Sequence, residues 1–336
     1  MLRAIRVLFL FAFAVAALLI AWVAWFALTP IRLPASSVDF SIAAGSSLRS
    51  ATQQIVAAGI PIPANIFTLV ARVAGKETRV KAGSYEISQG ETPWTLLRKI
   101  TQGEYVLSEI VFIEGWNFGQ VRSALDTNDA IKHDTQGLSD ARVMERLDLP
   151  GISPEGLFFP DTYLFSPGES DLAILARAHR AMERQLESAW ENRDGAVPLA
   201  SPREALVLAS IIEKETGDAR ERALIAGVFA NRLKLGMKLQ TDPTVIYGLG
   251  SRFDGSLHKK DLARDTPFNT YTREGLPPHP IAMPGRAALI AAVNPARTEA
   301  LYFVSRGDGT HQFSRSLEDH NRAVNRYQKE KGSARP

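Results

Sequence analysis

The stretch Leu208-Ala-Ser-Ile-Ile-Glu-Lys-Glu-Thr216 sets two carboxylates at the end of an otherwise apolar segment. The segment opens at Pro202, and a proline is well tolerated in the first turn of a helix because its missing N–H has no intrahelical partner there. The spacing predicts a helix over 202–216. At about 100° per residue, Glu215 falls on the stripe of Leu208 and Ile211 with Ile212 close by, and Glu213 falls beside Leu206 and Ser210, nearer Lys214. Burying a carboxylate against Leu and Ile disfavours its charged form and raises its pKa, as a general acid working near neutral pH requires. Glu215 is therefore the candidate acid tuned by burial, and Glu213 the candidate pairing or positioning partner. The plainer account is that both are ordinary ends of a core helix, neutralised by Lys214, Arg220 or Arg222.

The other 300-odd residues narrow the chemistry. A chain of 336 residues has room for two domains at about 100–200 residues each. Two of the 39 Lys and Arg residues, Arg3 and Arg6, precede the apolar N-terminus, which leaves 37 cations against 36 anions in the remainder. That balance, with no basic patch of interleaved aromatics, gives no support to nucleic acid as a partner. Cysteine is absent, which removes thiol nucleophiles, disulfides and thiolate metal sites. The six histidines show no helical zinc spacing, so neither a metal nor another cofactor is expected. No G-x-S-x-G elbow, P-loop or G-x-G-x-x-G is present.

Val7 to Leu28 is an unbroken apolar run of 22 residues with Trp22, Trp25 and Phe26 near its outer end. As a helix it spans roughly 33 Å, enough for a hydrocarbon core of about 30 Å. A signal peptide would have an apolar stretch of only about 7–15 residues followed by small residues, whereas Ala12, Ala14 and Ala16 lie inside this run. An uncleaved single-pass anchor is expected over 1–28. Arg3 and Arg6 place its N-terminus in the cytoplasm and the body outside.

Thr29 to Ser37 is a Pro- and Ser-containing linker, and 38–113 reads as a small α+β unit. Val38–Ile42 and Gly83–Ile87 are expected as strands, Ser47–Ala58, Ile66–Val73 and Thr92–Ile100 as helices, and Tyr105–Ile113 as a further strand. Asn117 to Pro150 reads as two helices around Asp126–Gly137. Longer helices are expected at Asp171–Trp190 and Arg220–Leu235. The fold class is thus α+β: an anchor, a small α+β unit, a larger and mostly helical domain over 114–330, and a frayed tail at 331–336.

Four stretches of the larger domain combine aromatics, uncharged hydrogen-bonding groups and Pro/Gly turns: Gly156–Tyr163, Leu239–Gly248, Phe268–Pro278 and Ile281–Gly285. Gln240, Thr241 and Asp242 stand immediately before a helical start, where Thr or Asp would cap. Taken singly, each stretch is explained by turns, caps and core aromatics. Their concentration downstream of a helix-borne glutamate suits a groove for glycans, which are bound by aromatic faces with amide, hydroxyl and carboxylate groups.

The blocks Glu155-Gly-Leu-Phe-Phe-Pro-Asp-Thr-Tyr163, Ala209–Thr216, Val228–Leu233, Leu239–Gly248, Asn269-Thr-Tyr271, Gly275–Pro278, Ala282–Gly285, Asn294–Ala296, Leu301–Val304 and His320-Asn321 together resemble the MltG/YceG-like family of endolytic murein transglycosylases. The resemblance covers essentially the whole chain and is strongest from Glu155 to Asn321. The family's Gly-Leu-Pro-Pro-Gly reads Gly275-Leu-Pro-Pro-His279 here. The resemblance implies a lyase anchored once in the inner membrane, with a LysM-like subdomain at 38–113 and a periplasmic body. It implies cleavage of MurNAc–GlcNAc bonds inside peptidoglycan glycan strands, ending nascent strands, with 1,6-anhydro-MurNAc as the new end. It makes Glu215 catalytic; of the groove and its surroundings, Glu213, Gln240, Thr241, Asp242, Tyr247, Asn269 and Tyr271 are the residues expected to bind substrate. Expected partners are glycan strands, the inner membrane and cell-wall synthesis proteins.

From the residues alone two alternatives stay open. Asp242 or Glu213 could supply a second carboxylate and make the outcome hydrolytic. The protein could also be a non-catalytic wall-binding anchor.

Overall fold

The computed structural model describes residues 2–43 and 45–329; the expected tail at 331–336 lies outside them. Contacts divide the chain into two units, Met1–Ser108 with Leu164–Gly168, and Glu109–Tyr163 with Glu169–Pro336.

The first unit begins with α1 (Leu2–Leu28), whose stretch Phe9–Leu28 is long and apolar enough to cross a membrane. β1 (Ser37–Ile42), α2 (Leu48–Ala57), α3 (Ala64–Val73), β2 (Gly83–Ser88) and α4 (Pro93–Gln102) follow. β1 and β2 pair antiparallel with Phe40 opposite Tyr85, whose rings stack at 5.5 Å. The local chemistry sets the helix starts: Ser47 and Thr92 each accept a backbone N–H three residues on, and Pro93 occupies the first turn of α4. The core beneath the sheet is built from Ile55, Ile60, Phe67, Ile87, Leu96, Leu97 and Ile100, all fully buried. The last turns of α1 join this core through Val23, Phe26 and Ala27.

The strand expected at Tyr105–Ile113 is shorter, β3 (Ser108–Val111). Its ends are diverted: Tyr105 packs on the Tyr85 ring at 5.4 Å, the Val106 N–H donates to Ser84, and Ile113 accepts a turn bond from Trp116.

The second unit contains α5 (Phe118–Asp126), α6 (Asp140–Arg146), α7 (Asp171–Glu191), α8 (Pro202–Glu215), α9 (Arg222–Lys234), α10 (Asp242–Leu249), α11 (Lys259–Ala263), α12 (Arg286–Val293) and α13 (Leu317–Val324). Strand β4 (Thr162–Phe165) pairs with β3, and β5 (Tyr302–Ser305) pairs with β6 (His311–Ser314). Helix α8 lies at the centre, against α7, α9 and α12. Every residue from Ala205 to Ile212 is buried, the pattern of a helix apolar on all sides. Ser201 caps its start by accepting the Glu204 N–H. Ser210 is satisfied inside the core, donating to the Val207 carbonyl and accepting the Ile281 N–H at 3.0 Å.

Close approach explains one glycine of this core. Gly227 on α9 lies so near the Ala296 carbonyl that a Cβ there would overlap it. This tight seat lets the 294–298 segment run over α9, with the Ala296 N–H donating to the Ala223 carbonyl at 2.8 Å.

Candidate active site

Helix α8 runs buried to Ile212 and then emerges at Glu213-Lys214-Glu215, where Thr216 turns extended and ends it. Glu215, the last helical residue, looks into a cavity of about 490 Å³. Around it stand Arg232 from α9, Gln240 and Asp242 at the entry to α10, Tyr271, and the β5–β6 hairpin with Tyr302 and His311.

Glu215 is partly buried, and its pKa is pushed up to about 7, first by burial and then by the negative charge of Asp242. The Thr241 hydroxyl, His311 and Arg232 act the other way. The Thr241 hydroxyl donates to Glu215 Oε1. Capping was the role the sequence suggested for Thr241. It sits at the cap position of α10, yet its side chain makes no cap bond, because its one hydroxyl proton is committed to Glu215. Its backbone N–H is held by the Thr270 hydroxyl at 3.1 Å, and Thr244 joins them by donating to the Thr241 carbonyl. Three buried threonines thus fix one oxygen against Glu215.

Gln240 adopts φ 50°, a left-handed conformation uncommon for a residue with a side chain. Its N–H donates to the Thr270 carbonyl, its side chain lines the cavity, and its Oε1 lies 3.4 Å from the Arg232 guanidinium. Asp242 Oδ1 accepts the Tyr271 hydroxyl at 2.6 Å. Arg232 is buried, donating to the Leu301 and Leu239 carbonyls at 2.7 Å each, with its charge over the Tyr302 ring. His311 donates Nδ1–H to Glu221 Oε2 at 2.7 Å and its backbone N–H to Oε1 at 2.9 Å, so one carboxylate clamps ring and strand.

The remaining sequence-selected residues sit outside the cavity lining. Glu213 turns toward α12: its Oε2 accepts the Gly285 N–H at 2.9 Å and Arg222 lies 4.0 Å from Oε1. Burial raises its pKa. Asn269 is buried, with Nδ2 donating to the Leu262 and Arg264 carbonyls and Oδ1 accepting the Tyr271 N–H, so it shapes the loop that carries Tyr271. Tyr247 donates to buried Glu155 and packs on Phe268 and His279. His279, at the position where the family pattern has glycine, completes this aromatic cluster and donates Nδ1–H to the Pro280 carbonyl.

The cations proposed by the plainer account do not reach Glu215. Lys214 donates to the Gly115 carbonyl and Arg220 pairs with Asp218. Among the described residues no cluster of His, Asp or Glu is arranged to hold a metal. Arg232, Tyr302 and His311 also line the cavity, beyond the residues the sequence points to. Arg232 and Tyr302 lie inside family blocks, whereas His311 carried no local signal.

The model of the YceG-like family matches residues 40–326. An endolytic murein transglycosylase of Bacillus subtilis is 30% identical over 87% of this chain and 85% of its own length. One from Streptococcus pneumoniae is 26% identical over 85% of this chain, which spans only 58% of that longer protein. Among solved structures, a YceG-like protein of Listeria monocytogenes matches with 29% identity and a TM-score of 0.52, over 85% of this chain and 98% of that one. The chain belongs to the YceG-like family.

Proposed function

We propose that this chain is an endolytic murein transglycosylase with Glu215 as its single acid/base. The observation that carries the reading is a carboxyl group at the end of a buried helix, opening on a cavity, with a pKa near 7 and no ion-pair partner among the described residues. Such a group is protonated in a useful fraction of molecules at neutral pH, as a general acid must be. Protonated Glu215 delivers its proton to the oxygen bridging MurNAc and GlcNAc, and that C–O bond breaks as positive charge develops on the sugar ring. The resulting carboxylate then removes the proton of the MurNAc C6 hydroxyl, whose oxygen closes onto C1 as a 1,6-anhydro ring. Glu215 ends reprotonated, and no water is consumed. The Thr241 hydroxyl stabilises the carboxylate formed midway. Gln240, Asp242 and Tyr271 are the substrate-facing groups, while Glu213, Asn269 and Tyr247 hold the walls in place.

The same family reading assigns 1–28 to a single-pass anchor in the inner membrane with its N-terminus in the cytoplasm, 29–37 to a linker, 38–113 to a LysM-like unit that grips the wall, and 114–330 to the catalytic domain. The β1-α2-α3-β2 order and the division of contacts after Ser108 support that layout. So does the packing of Val23, Phe26 and Ala27 against the unit's core. From there the enzyme would end nascent strands beside cell-wall synthesis proteins.

Asp242 on the same cavity supports a second, hydrolytic outcome, in which water replaces the C6 hydroxyl. Mass spectrometry of purified glycan strands incubated with the full chain separates the two. Internal 1,6-anhydro-MurNAc ends, absent with Glu215→Gln, are expected. Reducing MurNAc ends would replace the lytic reading with hydrolysis, and undiminished cleavage by the variant would remove Glu215 from its role.

A further inference from the structure

The first unit carries an apolar groove of about 600 Å³, with no charged residue in its walls. One wall is α1 from Leu19 to Leu28; the other is formed by α3 and the start of α4. Leu69, Val73 and Trp94 line the second wall at 44%, 73% and 40% exposure. The opposite face of α3 already fills the core with Phe67, Val70 and Ala71. Helix α3 therefore carries apolar residues on its outer side as well, Leu69 and Val73, with the polar Asn65 and Arg72 beside them, and that side is uncovered. A surface helix of this kind marks a contact with another apolar phase.

The geometry of α1 identifies that phase. Its end is tied to the unit's core, so α3 and α4 stand beside it over the nine-residue rise from Leu19 to Leu28, roughly 13 Å. A bilayer's hydrocarbon is about 30 Å thick, so this rise covers nearly half of it. Whatever packs beside a membrane span at that height is in the membrane as well. Lys76 adds the polar boundary: its ammonium lies 4.8 Å from the Trp94 ring. A tryptophan at the headgroup level with a lysine reaching toward the phosphates is a usual pairing at a membrane surface.

We propose that the face of α3 and α4 bearing Leu69, Val73 and Trp94 is immersed in the outer leaflet and takes phospholipid acyl chains. This rests on the reading of α1 as a retained anchor. The small unit is then a membrane-seated platform rather than a bead on a tether.

Because the chain has no cysteine, single-cysteine variants give clean labelling sites. Full-length protein carrying Leu18→Cys, Gln53→Cys, Leu69→Cys or Val73→Cys would be labelled with an environment-sensitive fluorophore and reconstituted in phospholipid vesicles, with and without brominated acyl chains. Expected are a blue-shifted emission and a loss of intensity with brominated lipid at Leu18, Leu69 and Val73. Gln53, exposed on α2, should instead be quenched by aqueous iodide. Lipid quenching at Leu18 with iodide quenching at Leu69 and Val73 would overturn the proposal and leave the anchor standing. Shielding of Leu69 and Val73 from both quenchers would overturn it in favour of a protein cover, such as a second copy. A Leu18 probe unaffected by brominated lipid would overturn the anchor reading itself, and the proposal with it.

Discussion

Replacing Thr241 with valine keeps the shape of the side chain and deletes the one hydroxyl that donates to Glu215. That bond favours the carboxylate over the neutral acid, so its loss must raise the pKa of Glu215 above its present value of about 7. A hydrogen bond to a charged group is worth about 1.5–3 kcal/mol, and one pH unit corresponds to about 1.36 kcal/mol. The neutral acid also keeps a weaker bond to the same hydroxyl, so the differential falls at the low end, about one pH unit. The free enzyme acts with Glu215 protonated, so kcat/KM falls as pH rises through this pKa, and the alkaline limb reports it. The assay is kcat/KM for glycan cleavage between pH 5 and 9 for both proteins. The Thr241→Val limb should lie about one unit higher, whatever the height of its plateau. A limb that stays in place, or moves to lower pH while cleavage persists, would refute the link between Thr241, Glu215 and the chemistry.

Asp242→Asn removes the negative charge that helps raise the Glu215 pKa, so the same limb should move to lower pH; complete loss of cleavage would point instead to a second catalytic carboxylate. Glu215→Gln should lower cleavage by about 10²–10⁴-fold, the usual contribution of a general acid, measured as new chain ends. The same variant should gain stability over the parent as pH rises. The folded pKa of about 7 exceeds the unfolded 4.5, so the parent's stability is full below 4.5 and is lost as pH passes 7, by at most about 3 kcal/mol. Urea unfolding at pH 5 and pH 8 checks this, and a pH-independent gap would contradict it. Gly227→Ala would stabilise an ordinary helix by about 1 kcal/mol, yet its Cβ meets the Ala296 carbonyl, so a net loss of about 1–3 kcal/mol is expected in the same assay.

Several of these features could be read from the chain alone because they depend on local pattern. The apolar run of α1, the proline start of α8 and the alternation of β1 are set by near neighbours in sequence. Helical spacing also separates Glu215 from Glu213, and the two side chains diverge, one to the cavity and one to Gly285.

Tertiary structure decided what each polar group does with its hydrogen-bonding capacity. Thr241 has the sequence signature of a cap but spends its proton 26 residues away on Glu215. Asn269 has the chemistry of a sugar ligand but is consumed by the carbonyls of its own loop. His311 shows no motif, yet the β5–β6 hairpin and a clamp from Glu221, 90 residues back, deliver it to the cavity wall. The physical reason is that periodicity fixes which face of an element is buried, whereas hydrogen-bond partners and the field at a carboxylate are set by groups that meet only when distant segments close on one another.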